Sequence, residues 1–298
     1  GSNRVGGSVT VLWRPASLSA KPVGFRPGSQ EPNIDGFGST AAVSGPIIKD
    51  RWHFFAGYER TVRKTSPVFS ISDANRNSLV ATGLSPTIFS NTEGVTDWFP
   101  YLILRTDVNL TGKTRLAFRY NRFDADLRNG GTGGINTAER SSDRYGWDQA
   151  FGFQAVSELS ESLFNEFRFQ RVERITGLRA NEYTGTGVSV AIPNVANLGP
   201  PPGLGAIDTN QSLMHFQDAV TRSFNRHLIK AGGGILIIRD TTLLPVSATY
   251  TFSSVQAYRD AVNGSNRRSY SSYQESFGEP SSPFNAYFLN GFSRTNGS

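Results

Sequence analysis

The side chains that could do chemistry are few and scattered. The three histidines, His53, His215 and His227, stand far apart without HxxxH-type spacing, and cysteine is absent. A metal centre needs three or four His, Cys or carboxylate ligands converging on one point, so no metal and no cofactor is expected. Serine is plentiful, but no GxSxG turn is present to expose a nucleophile. The run Gly130-Gly131-Thr132-Gly133-Gly134 lacks the Lys-Ser/Thr pair of a phosphate loop and reads as a flexible loop tip. The chain is therefore not expected to be an enzyme. What remains is charge set among bulky apolar residues: Arg115, Arg119, Asp148, Glu158, Glu166 and Arg168. Charges so placed do the work of a wet wall, pairing across strands, holding a polar partner or staying solvated.

Those six residues lie in stretches where apolar and polar residues alternate, the pattern of an extended strand with one greasy and one wet face. After a turn at Thr111-Gly112-Lys113, Leu116, Phe118 and Tyr120 alternate with Arg115, Arg119 and Asn121. Trp147, Phe151, Phe153 and Ala155 oppose Asp148, Gln154 and Glu158; beyond Ser160-Glu161-Ser162, Leu163, Phe167 and Phe169 oppose Glu166, Arg168 and Gln170. The stretch VSGPIIKDRWHFFAGYE, residues 43–59, shows the same design around a tight break at Lys49-Asp50, with Trp52, Phe54, Ala56 and Tyr58 on one face. A pair over 212–223 and 227–240 alternates less cleanly, since Asp218 falls with Phe216 and Val220.

Strands near 5–14 and 283–294 complete a set of ten. Short polar turns alternate with long Gly-, Ser-, Asn- and Pro-rich segments at about 15–37, 65–98, 127–145, 176–211 and 241–282. A compact soluble domain rarely tolerates several loops longer than ~15 residues. A transmembrane β-barrel is built this way, with short periplasmic turns, long extracellular loops, an apolar outer band and a polar interior. Ten residues at ~3.3 Å each, tilted by about 45°, cover roughly 23 Å, close to the ~25 Å apolar band of such barrels. The mean hydropathy of −0.34 excludes a helical membrane bundle. The net charge of +6 is spread along the chain without a basic stripe interleaved with stacking aromatics, so nucleic acid is not expected as a partner.

One stretch is specific enough to suggest kinship. Gly45-Pro46-Ile47-Ile48-Lys49-Asp50-Arg51-Trp52-His53-Phe54-Phe55-Ala56-Gly57-Tyr58-Glu59 resembles a hairpin of the Oar-like TonB-dependent receptors of the Gram-negative outer membrane, with Ser44 where a glycine is usual. The opening residues 1–8 are similar to that family's plug-to-barrel junction. Asn165-Glu166-Phe167-Arg168 and His227-Leu228-Ile229-Lys230-Ala231-Gly232-Gly233 resemble two of its strands. The resemblance spans about residues 1–240.

It implies an all-β fold: a partial antiparallel transmembrane barrel holding about ten of about 22 strands. Residues 1–298 would form a single barrel segment, with the plug and the other strands outside it. It also implies partners: outer-membrane lipid, the plug of the same full-length chain, a TonB-type energy-coupling protein and an unidentified substrate. The implied activity is energised uptake. The rival reading is a non-transporting barrel or soluble β-sandwich used for adhesion, and the sandwich makes a different structural demand: the Phe, Leu and Trp side chains would gather in a dry interior between two sheets.

Overall fold

The computed structural model describes residues 3–18, 34–90, 94–243, 245 and 247–276. In chain order its strands are β1 (Gly6–Arg14), β2 (Ile34–Ile48), β3 (Trp52–Thr65), β4 (Val95–Asn109), β5 (Thr114–Gly130), β6 (Ser142–Ser160), β7 (Leu163–Arg179), β8 (Ser189–Ile192), β9 (Ala196–Leu198), β10 (Ile207–Phe224), β11 (His227–Leu243), β12 (Ser247–Thr251) and β13 (Ser272–Ser276). Two helices, α1 (Asp73–Val80) and α2 (Val255–Val262), lie in the long connections.

Nine strands form one antiparallel sheet in the order β1-β2-β3-β4-β5-β6-β7-β10-β11. Successive strands are neighbours, so this is a meander without crossovers, as a barrel wall requires. The tight turns suit their sequences. Asp50 and Asn225 adopt left-handed φ of 59° and 51°, a region these two residue types enter at low cost. Arg51 N–H donates to the Ile48 carbonyl at 3.1 Å to close the first turn. Asn3 holds that turn from outside, its Oδ1 accepting from the Asp50 N–H at 2.9 Å while its amide donates to the Asp50 carboxylate. Glycine at position 45 permits a close crossing, because a Cβ there would stand 2.9 Å from Val5 Cγ2.

Register lines the side chains into rows. On one face Phe54, Thr106, Phe118, Phe153, Phe169, Phe216 and Ile235 are successive partners across seven strands. Ring centroids are 4.9 Å apart for Phe118–Phe153 and 4.8 Å for Phe169–Phe216, within the range of favourable aromatic pairs. These rings do not enter a core. Phe151, Phe216, Ile235 and Leu104 are exposed, and among the described residues of the large sheet no Phe, Leu, Ile or Val is buried. No second sheet covers the face, which excludes the sandwich among the described residues. In lipid a lone sheet satisfies its backbone only by closing on itself, so the fold is part of a transmembrane β-barrel.

The wall has nine strands among the described residues; the strand expected at 283–294 lies outside them. Strands also run well past the alternating stretches, β5 to Gly130 and β6 from Ser142. Their outer ends carry i,i+2 ion pairs such as Arg122–Asp124 and Arg128–Asp126, which resemble loop sequence.

The long connections are not bare loops. β13-β12-β8-β9 form a second, four-stranded sheet, and Leu79, Phe89, Ile192, Ala196, Leu198, Phe252 and Tyr258 make a buried cluster with α1 and α2 beside it. We call this assembly the cap. Ser72 and Ser254 cap the two helices through their hydroxyls. Within 241–282, β12 and β13 pair antiparallel, with α2 between them in the chain. The glycine run 130–134 is not a free tip. Gly134 N–H donates to the Val68 carbonyl at 2.7 Å and Gly133 N–H to Asn136 at 3.1 Å, and a Cβ at Gly131 would lie 2.8 Å from the Arg140 carbonyl.

Candidate functional site on the polar face of the wall

Opposite the phenylalanine rows, a polar face runs across the same strands. Arg105, Arg119, Gly152, Gln170 and His215 are successive register partners, as are Asp107, Ala117, Gln154, Arg168 and Gln217. Strand parity does the positioning, since neighbours along a chain point to opposite faces. A depression of about 430 Å³ opens here, lined by Arg105, Arg119 and Arg168 with Gln154, Gln170 and His215 among its other residues.

Most charges on this face are paired. Arg105 forks onto Asp107 with two contacts of 2.8 Å. Glu166 accepts from Arg168 Nε at 2.9 Å and from Gln154 at 2.6 Å, with Lys230 Nζ 4.0 Å away. Asp148 meets Arg174 across the β6–β7 ladder at 3.0 Å, and Lys113 lies 3.9 Å from Glu158. The six residues singled out from sequence thus share one face, but they do not converge. Glu166 and Arg168 pair with each other; Asp148 and Glu158 take Arg174 and Lys113. Arg115 and Arg119 are exposed, without a carboxylate partner among the described residues. Sequence reading missed the grouping of Arg105, Gln170, His215 and Gln217 with Arg119. Each sits at the right parity, but only cross-strand register brings them together.

The remaining candidates fall elsewhere. His53 Nε2 lies 3.3 Å from Asn3 Oδ1 beside the first turn, and His227 pairs with Phe224 at the last one. Of the family hairpin residues, Phe54 and Tyr58 face outward, Phe55 and Glu59 fall on the polar face, Gly45 and Pro46 pair with Phe54 and His53 in the β2–β3 ladder, and Lys49 and Asp50 form the turn. Trp98 belongs to β4, and Tyr258 is buried in the cap. Tyr270 and Tyr273 pack on Tyr250 at 5.3 and 4.6 Å. In the cap, Arg140 is 6% exposed and donates to Ser189 Oγ and the carbonyls of Pro200 and Val190 at 3.1–3.3 Å. Burial lowers its pKa from the ordinary arginine value. It clasps the β5–β6 connection to β8.

A face lined with aromatics, a polar reverse face and a meander of antiparallel strands are the marks of an outer-membrane β-barrel wall. Residues 71–293 match the family described as "Outer membrane beta barrel domain", which is well over half of the chain, and the chain belongs to that family. It is an outer-membrane protein. Among solved structures it is similar to the outer membrane transporter YddB from Escherichia coli, with a TM-score of 0.51 and 8% identity over 73% of this chain and 28% of that one. The likeness at this identity is one of fold, and the chain spans little more than a quarter of its neighbour's length. No curated protein matches the sequence.

Proposed function

We propose that the chain is barrel wall from an outer-membrane transporter of the TonB-dependent, Oar-like type. The supporting observation is the two-sided wall, greasy outside and hydrogen-bonding inside, carrying the hairpin motif from Gly45 to Glu59. In this reading the Phe rows meet acyl chains. The polar face lines a lumen that a plug of the same full-length chain fills and an inner-membrane energy-coupling protein opens. The substrate is a solute too large or too scarce for open porins.

The cap lends some support to the second reading, adhesion without transport, because a loop assembly with its own core can present a fixed binding surface. One experiment separates the two. Strains lacking the full-length receptor, or lacking the energy-coupling protein, are grown in defined medium and solute depletion is followed by mass spectrometry. Transport predicts that the same solute is spared in both strains. A receptor-dependent phenotype indifferent to energy coupling would support adhesion.

A further inference from the structure

The depression on the polar face has a feature that wall structure alone does not require. Arg105 and Arg119 are direct register partners on β4 and β5, and like charges placed opposite each other destabilise a ladder. Arg105 is neutralised by Asp107. Arg119 has no acidic partner among the described residues, and no Asp or Glu lines the depression. Its floor is bare. Arg119 faces Gly152 across the β5–β6 ladder, with Ala117 and Ala150 beside it. A Cβ at Gly152 would stand 3.9 Å from Arg119 Cβ, so a methyl fits but a large side chain would fill the space. Hydrogen-bonding groups from Gln170, His215 and Gln217 complete the rim. The volume of about 430 Å³ falls within the usual span of small-molecule sites, roughly 300–1,000 Å³.

We propose that this depression binds a carboxylate-bearing solute. Arg119 supplies the unpaired guanidinium, Arg105 the second positive charge, and the floor around Gly152 the space. A guanidinium presents two parallel N–H groups to one carboxylate, and the rim can hydrogen-bond the rest of the ligand with no carboxylate of its own to repel it. The proposal rests on the transport reading in placing the site along a permeation path, and it narrows the substrate class to organic anions. An acidic side chain of the plug has the same chemistry and is the competing occupant.

The test uses the full-length receptor purified in detergent, with citrate, succinate and acetate titrated by calorimetry. Heat-modifiable gel mobility confirms that each variant is folded. Arg119→Gln should weaken binding of citrate or succinate at least tenfold. Gly152→Leu, which keeps every charge but fills the floor, should do the same, and Arg115→Gln, outside the depression, should leave affinity unchanged. Equal binding by all variants, or no heat with any of the three anions, overturns the proposal. So does binding that appears only once the plug is deleted, because the plug's own carboxylate would then be the occupant. Failure of the transport reading looks different: anion binding would survive, while depletion of solute would not depend on energy coupling.

Discussion

The wall and the cap use similar residues and are stabilised in opposite ways. In the cap, seven side chains from three separate connections leave water together: Leu79 and Phe89 before β4, Ile192, Ala196 and Leu198 before β10, and Phe252 and Tyr258 after β11. In the wall, longer strands with larger rings bury almost nothing, and Phe216, Ile235 and Phe151 remain open to their surroundings. Ladder hydrogen bonds hold the wall's backbone together, while its outward face depends on lipid. The cap carries its own dry interior into the aqueous phase. Loss of lipid should therefore undo the wall first, and core truncation should undo the cap alone.

Leu79→Ala should sharpen that contrast most. Leu79 is fully buried, and such truncations cost about 2–5 kcal/mol. Hydrogen exchange should rise across 73–90 and 247–262, with heat-modifiable barrel mobility unchanged. If the barrel unfolds as well, the two regions are not separate. Phe153→Arg places a charge in the aromatic row and should cost about 2–4 kcal/mol in urea titrations of the protein refolded into vesicles. Gln217→Glu on the polar face, opposite Arg168, should change stability by no more than about 0.5 kcal/mol. Equal costs at the two positions would erase the difference between the faces.

Arg140→Met removes the guanidinium that donates to Ser189 Oγ and to the carbonyls of Val190 and Pro200, the last of which keeps the Ser189 hydroxyl as a donor. It should loosen the cap by about 1–3 kcal/mol, read as faster proteolysis between β8 and β9. Asp50→Val forces a β-branched residue into left-handed backbone and should cost about 1–2 kcal/mol of wall stability. The smallest effect is one of pH. Burial raises the Tyr258 hydroxyl pKa, so the folded cap holds that proton more tightly than the unfolded chain. The contribution is complete below the ordinary tyrosine value of about 10 and is lost as pH rises through the raised value. Tyr258→Phe should remove this alkaline loosening of the cap, measured by hydrogen exchange at pH 9 and above.

The wall was legible in the sequence because its code is local. Each residue's neighbours at i±1 and i±2 announce its face, which is why Leu116, Phe118 and Phe153 separate from Arg119 and Gln154 without any tertiary information. The outer strand ends were harder to see, since pairs such as Arg122–Asp124 and Arg128–Asp126 break the greasy alternation while the ladder continues. The cap was not legible. Its strands of three to five residues are too short to show a period. Its core residues also lie far apart in the chain, set among Gly, Pro and Asn that otherwise signal loops. The grouping of Arg105, Arg119 and His215 was hidden for a third reason, because parity is written in the sequence and cross-strand register is not.

The outward and inward assignment can be tested directly, because this chain contains no cysteine. Phe169→Cys and its chain neighbour Gln170→Cys would be introduced singly into the full-length protein in outer membranes and exposed to a water-soluble maleimide, then to nitroxide-labelled lipid after fluorophore attachment. Residue 169 should resist the maleimide and be quenched by the lipid probe, while residue 170 should show no lipid quenching. Lipid quenching at residue 170 and none at residue 169 would contradict the account.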